Sequence, residues 1–310
     1  MQHYGLYFTP EHIQLARRER NQEPFLSAWL YLRDREQSGA AEAQWCGLRY
    51  RCSDDNDASE AAIRLLEKFT DDERSTANTY LEAIFETLIL AQTFEMVRDH
   101  PAFEADDRKR WLDFFSARLS TLENSAEKDT HTEQLWMSLL TLVAGIVLEN
   151  ESLLQSSVEV FKRSVTEDIR PQGFIPKAVE GKDGGSLYRQ ILSASALVLM
   201  AEAASHAGLD LWEYSVRGVS VVTGAMYPIY YFYTPEKWQW DEGISVEEAQ
   251  NLFRQYGGYL EMLYRRTRHK DLKLLLQDLR PVYDPRAGGV TTLTHGVIEK
   301  KRGLLGIAGG

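Results

Sequence analysis

Six residues with side chains able to bind anions or move protons fall within thirteen positions: Lys177, Glu180, Lys182, Asp183, Tyr188 and Arg189, threaded around Gly181, Gly184 and Gly185. A cation-bearing glycine loop that feeds a helix beginning with Tyr and Arg suits work on an acidic substrate such as a uronic acid. Eliminating the C5 proton of a uronate requires a positive group to neutralise the carboxylate, a base for the proton and an acid for the departing O4. Tyrosine can serve as base or acid when a nearby cation lowers its pKa. On the residues alone, a solvated loop with Tyr188 as a part-buried anchor fits equally well.

Two further sets could support such chemistry. His131 stands at the expected start of a helix that carries Trp136, where first-turn backbone N–H groups tend to keep an imidazole neutral. Glu133 either orients it or complements the helix dipole. Tyr227, Tyr230, Tyr231, Phe232, Tyr233, Trp238 and Trp240 fall within fourteen residues, with Pro228 and Pro235 interrupting the helical register. Their faces suit stacking on sugar rings, and Tyr231, Tyr233, Trp238 and Trp240 are the candidate contacts; core packing accounts for about half of the set as well. A carboxylate pair, Glu180 with Asp241 or Glu242, would instead support glycoside hydrolysis if the two faced one another across a cleft.

The elements that must position these groups are helices. Periodicity of 3.6 residues can be drawn over about eleven segments, near 9–18, 22–37, 58–70, 74–98, 106–123, 132–149, 151–168, 187–207, 209–225, 245–267 and 269–279. Thr9, Pro10 and Glu11 read as an N-cap, first-turn proline and first-turn acid. Leu135, Leu139, Leu142, Val143, Ile146 and Val147 form one apolar stripe. The best strand candidates, Val219–Val222 and Val290–Leu293, are short. Successive antiparallel hairpins of this kind predict an all-α chain, curled into an α/α toroid, an incomplete α/α barrel whose helix ends and loops form a cleft.

The 310 residues are 44% apolar and contain no linker-like stretch, which predicts a single domain over 1–310, with 281–310 as a C-terminal extension. A formal charge of −11 argues against nucleic acid as a partner, although Arg254 to Arg302 carries eleven Lys/Arg against five Asp/Glu. Such a basic patch suits an anionic ligand. Cys46 and Cys52 are too few for a disulfide framework, and no His or Cys spacing matches a metal site, so no metal and no cofactor is expected. No apolar stretch predicts a membrane span, and the start of the chain lacks a leader's pattern, which points to the cytoplasm unless a leader was trimmed.

The ordered segments THTEQLW (130–136), GFIP (173–176), LMAEAASHAGLDLWEY (199–214), GYLEMLYRR (258–266) and RPVYDPRAGGVTTLTHG (280–296) resemble the alginate lyase family of polysaccharide lyases. That resemblance implies an α/α toroid that cleaves a uronate-containing acidic polysaccharide or oligosaccharide by β-elimination. Family members carry an Asn-Asn-His run shortly before the Trp, and later an Arg and a Tyr. Here Thr132 and Glu133 fall where an Asn and the His would be. Gly184 and Gly185 occupy the place of the Arg, and Leu192 that of the Tyr in a fixed register. With small gaps, the resemblance implies Tyr188, His131 and Arg189 as catalytic, and Lys177, Lys182 and His295 among the substrate contacts. The alternative is a catalytically inactive protein that binds acidic glycans on the same fold.

Overall fold

Apolar and small residues run all the way round the segment from Ser186 to His206, so a helix there must be enclosed on every side. The computed structural model, which describes residues 3–72, 77–125, 130–181, 183–241 and 243–299, encloses it: 17 of its 21 residues are buried. Around it, the chain order is α1 (Pro10–Arg18), α2 (Phe25–Asp34), α3 (Ala40–Ser53), α4 (Asn56–Asp72), α5 (Tyr80–Val97), α6 (Ala105–Glu123), α7 (His131–Val147), α8 (Glu151–Arg163) and α9 (Pro176–Val179). The central helix is α10 (Ser186–His206), followed by α11 (Val221–Met226), α12 (Val246–Tyr256), α13 (Tyr259–Thr267), α14 (Lys270–Leu279) and α15 (Thr291–His295).

Inner and outer helices separate by their burial. In α5, 14 of 18 residues are buried, and in α7 12 of 17. By contrast α6 buries four of 19 and α8 four of 13, each along one stripe. Hairpins α3/α4, α5/α6 and α7/α8 therefore each place one helix inside and its partner outside. The inner helices α3, α5, α7 and α10 lie side by side in that order, and α12 and α13 pack on the far side of α10. This is the expected all-α fold, an incomplete α/α toroid.

Several expected elements change on folding. The segment 209–225 was expected as one helix, but Ser215–Val216 (β1) pairs antiparallel with Val219–Ser220 (β2), leaving only α11 helical. The run 245–267 breaks into α12 and α13 at Gly257 and Gly258. A side chain at Gly258 would lie 2.5 Å from the Cβ of Ala287 and 2.6 Å from that of Asp284, so glycine lets the 284–287 turn approach. Helix α3 has no counterpart among the expected segments, because its buried face is made of Ala40, Ala43, Gln44 and Gly47 as much as of Trp45 and Leu48. Of the strand candidate Val290–Leu293 only Val290 is extended, in Gly289–Val290 (β4) paired to Tyr283–Asp284 (β3), and 291–293 is helical. Residues 281–299, set apart in sequence as an extension, place Val282, Ala287, Val290, Leu293 and Val297 in the main core; 300–310 lie outside the described residues.

Candidate active site

The start of α10 carries Tyr188 and Arg189, and the start of α7 carries His131. The start of α10 is fixed by Asp241, whose carboxylate accepts from Gly184 N at 3.2 Å and Ser186 N at 2.7 Å and also from the Ser186 hydroxyl. A carboxylate at unpaired first-turn N–H groups is a strong helix cap. The indole of Trp238 donates to the same Ser186 Oγ at 2.7 Å. Both therefore hold the helix end rather than meet a ligand. Trp238 is buried, which corrects its expected role as a sugar contact. Asp241 is buried and engaged in this cap, so it is not the free carboxylate a hydrolase would need; Glu242 and Lys182 lie outside the described residues.

Held this way, Tyr188 on the first turn of α10 is half-buried against Tyr256 at the end of α12, with ring centroids 5.1 Å apart in an edge-to-face contact. The guanidinium of Arg286 lies 4.3 Å from the centre of the Tyr256 ring and 5.2 Å from that of Phe85. Phe85 in turn packs edge-on to Trp136 at 4.7 Å. Arg286 is held by Asp284 Oδ1 at 2.7 Å and by the Gln255 carbonyl. Burial, and then the neighbouring Tyr256, push the Tyr188 phenol above the ordinary tyrosine range, while Arg286 pulls it back. The resting side chain is thus a neutral proton donor beside a cation.

Arg189 and His131 are not part of this group. Arg189 donates through Nε to the Ala178 carbonyl at 2.8 Å and pairs with Asp183 at 2.7 and 3.0 Å, which holds the Asp183 carboxyl down to about 2. It closes the glycine loop. His131 faces α8, with Nε2 3.8 Å from Asp168 Oδ2, while Lys177 Nζ holds Asp168 Oδ1 at 2.9 Å. The expected trio of Tyr188, His131 and Arg189 is therefore spread over three separate networks. Folding does unite His131 with Lys177, through an Asp168 that carried no sequence signal.

The departures from the Asn-Asn-His pattern have structural roles of their own. Glu133, three residues before Trp136, accepts from Thr130 N at 2.9 Å and from Thr130 Oγ1 at 2.8 Å in a capping box that starts α7. Thr132 is buried and hydrogen-bonded to Ser193 of α10 at 3.0 Å. Leu192 is fully buried.

Among the aromatic residues, Tyr230 and Tyr233 are exposed, and Tyr233 donates to Asp278 at 2.5 Å. Tyr231 donates to Tyr227 at 3.2 Å and packs on Trp238, while Trp240 leans on Phe174 at 5.0 Å. Most of the cluster is the prop under the start of α10. His295 is 1% exposed and bonded to Glu202 and Thr294, which corrects its expected contact with substrate. Tyr256 and Arg286 were missed in sequence. The signals that could have found them are the Tyr-Gly-Gly run at 256–258, inside the expected 245–267 helix, and the Asp-Pro-Arg run at 284–286. Among the described residues no group of His, Cys, Asp and Glu is arranged to hold a metal ion, and no helix is long and apolar enough to cross a membrane.

The sequence model of the alginate lyase family matches residues 14–238. A search of curated proteins finds no match. Among solved structures, an alginate lyase from Bacteroides ovatus superposes with a TM-score of 0.73 at 13% identity, over 95% of this chain and 99% of that one. Alginate lyase A1-III from Sphingomonas species A1 gives 0.71 at 16% identity, over 88% and 78%. The same enzyme complexed with a tetrasaccharide gives 0.69 at 16%, over 83% and 74%. At these identities the superpositions speak for the fold.

Proposed function

The chain belongs to the alginate lyase family, and from that premise we propose that it cleaves a uronate-containing polysaccharide by β-elimination at the Tyr188, Tyr256 and Arg286 cluster. The observation that carries this reading is the contacting pair of tyrosines beside a cation at the N-terminal end of α10. A solved relative complexed with a tetrasaccharide supports an oligosaccharide as the ligand class.

The chemistry balances within the pair. Tyr256, its ring under the guanidinium of Arg286, is the base that takes the C5 proton as the C4–O4 bond breaks. Tyr188, kept protonated by burial, donates to the departing O4. Tyr256, now a phenol, returns a proton to the neighbouring Tyr188, and the pair regains its starting state. Arg286 supplies the positive charge that makes C5–H acidic by drawing on the uronate carboxylate.

The test is the near-ultraviolet absorbance of an unsaturated uronate during incubation with polymannuronate, polyguluronate, glucuronan and glycosaminoglycans. A rise with one polymer, lost in Tyr188→Phe, is the expected result. A second reading, a glycan-binding protein that does not cleave, is favoured by Glu133 serving as a cap and by Arg189 being tied to Asp183. Retained binding of an acidic polymer with no absorbance change would select it.

A further inference from the structure

Between α7, α8, the turn at 164–168 and α9 lies a pocket of about 320 Å³, whose walls include His131, Gln134, Ser138, Arg163, Asp168 and Lys177. That volume falls within the range of small-molecule sites. The elimination chemistry leaves every one of these groups unused. The charged neighbours of His131 are Asp168, Lys177 and Arg163, whereas those of Tyr188 are Arg286 and Glu82.

His131 is the atom-level reason to expect an occupant. Its side chain is only 10% exposed, yet Nε2 has no hydrogen-bond partner. Leaving a buried polar atom unpaired is costly, and an occupant able to pair with it would recover that cost. The opposite wall is Asp168 Oδ2, 3.8 Å from that nitrogen. This separation is too long for a direct hydrogen bond but lets one oxygen between them reach both. A hydroxyl meets the requirement: it accepts from Nε2–H and donates to the carboxylate. The turn carrying Asp168, Ser164–Asp168, is a π-helical stretch continuing α8. Such turns often serve to aim a functional side chain that a regular helix would rotate away.

The rim sets the charge. Lys177 and Arg163 contribute two cations against the one carboxylate of Asp168, and the Lys177 ammonium has donors beyond the one used at Asp168 Oδ1. An anion carrying a neighbouring hydroxyl complements both wall and rim. We infer that this pocket binds a small hydroxy acid of the size of a single sugar acid, with one hydroxyl bridging His131 and Asp168 and its carboxylate on Lys177 and Arg163. The assignment is independent of cleavage at Tyr188, and a single sugar acid has no glycosidic bond to break.

Titration calorimetry on the full chain decides it, with glucuronate, glucose and acetate as probes. Glucuronate should bind saturably, with glucose and acetate each weaker by about tenfold or more, the loss of about one charge-assisted hydrogen bond. Lys177→Met, a change at a largely exposed side chain, and His131→Gln should each weaken glucuronate by a similar factor while melting temperature holds. Tyr188→Phe should leave the affinity unchanged, which separates this site from the elimination chemistry. No saturable heat with glucuronate would overturn the assignment, as would equal affinity for glucose, indifference to both pocket variants, or loss of binding in Tyr188→Phe.

Discussion

The two ends of α10 hold similar chemical equipment in opposite states. At its first turn, Tyr188 is half-buried and packs edge-on to Tyr256 beside Arg286. At its last turns, Glu202 is buried and receives the Trp212 indole at 3.0 Å, His295 Nε2 at 3.3 Å and His206 Nε2 at 3.5 Å. His12 of α1 completes that cluster, its ring 4.9 Å from that of His295. Three histidines around a carboxylate look more like an active site on paper than two tyrosines do. The tyrosine end is open and still has a proton to give, while the histidine end is closed and fully engaged. Residue type marks chemistry only where valence and solvent access remain.

The largest expected effect would break this contrast at its open end. Tyr188→Phe should cut any elimination rate by roughly 10²- to 10⁴-fold, the usual worth of a positioned acid or base, with the unfolding midpoint nearly unchanged. An intact rate would remove Tyr188 from the reaction. At the closed end the order reverses. Glu202→Ala strands His206 and His295 in the core and should cost about 3–5 kcal/mol in urea unfolding, with cleavage retained wherever the fold persists. A variant as stable as the parent would show that the cluster is not the clamp joining α1, α10 and α15.

A smaller effect comes from pH. Burial, followed by the nearby His295 and Arg265, lowers His12 from 6.5 to about 2, so the native state stays unprotonated there while the unfolded chain takes up a proton. Stability should therefore fall as pH drops below about 6.5, by up to about 1.4 kcal/mol per unit for one proton. His12→Gln should flatten that limb. Glu202 acts further down the scale. Burial alone would raise it, but bonds from His206 and His295 hold it below the ordinary carboxylate range. Its contribution is present above the unfolded carboxylate pKa and is lost as pH falls through the native one. The smallest effect on rate sharpens the comparison: Trp238→Phe removes the indole bond to Ser186 and part of the ring packed on Tyr227 and Tyr231 and should cost about 1–3 kcal/mol of stability, with a modest loss of rate through a looser start of α10.

Much of the fold was legible because helix periodicity and caps are local. Thr130 with Glu133 and Ser245 with Glu248 are capping boxes readable as letters, and both start helices. Helix α3 was not legible, since its inward face uses small and polar residues whose burial is decided by partners far along the chain. Gln44 there bonds Gln92 and the Pro285 carbonyl. The same reason explains the candidate site. Tyr188 was visible as a tyrosine opening a helix beside a cationic loop, but Arg189 and His131 were placed with it by sequence nearness. Their real partners, Asp183 and Asp168, are fixed by loop closure and by the π-helical turn.

By itself the sequence determined an all-α chain of hairpins, its enclosed helix at 186–206 and its kinship, because periodicity and ordered motifs are carried by neighbouring residues. Only the tertiary structure decided which cation stands beside Tyr188. Arg286 is nearly a hundred positions away, and it is brought there by Asp284, the Gln255 carbonyl and the close approach at Gly258. Long-range hydrogen bonds and backbone contact, which leave no periodic trace, set that geometry.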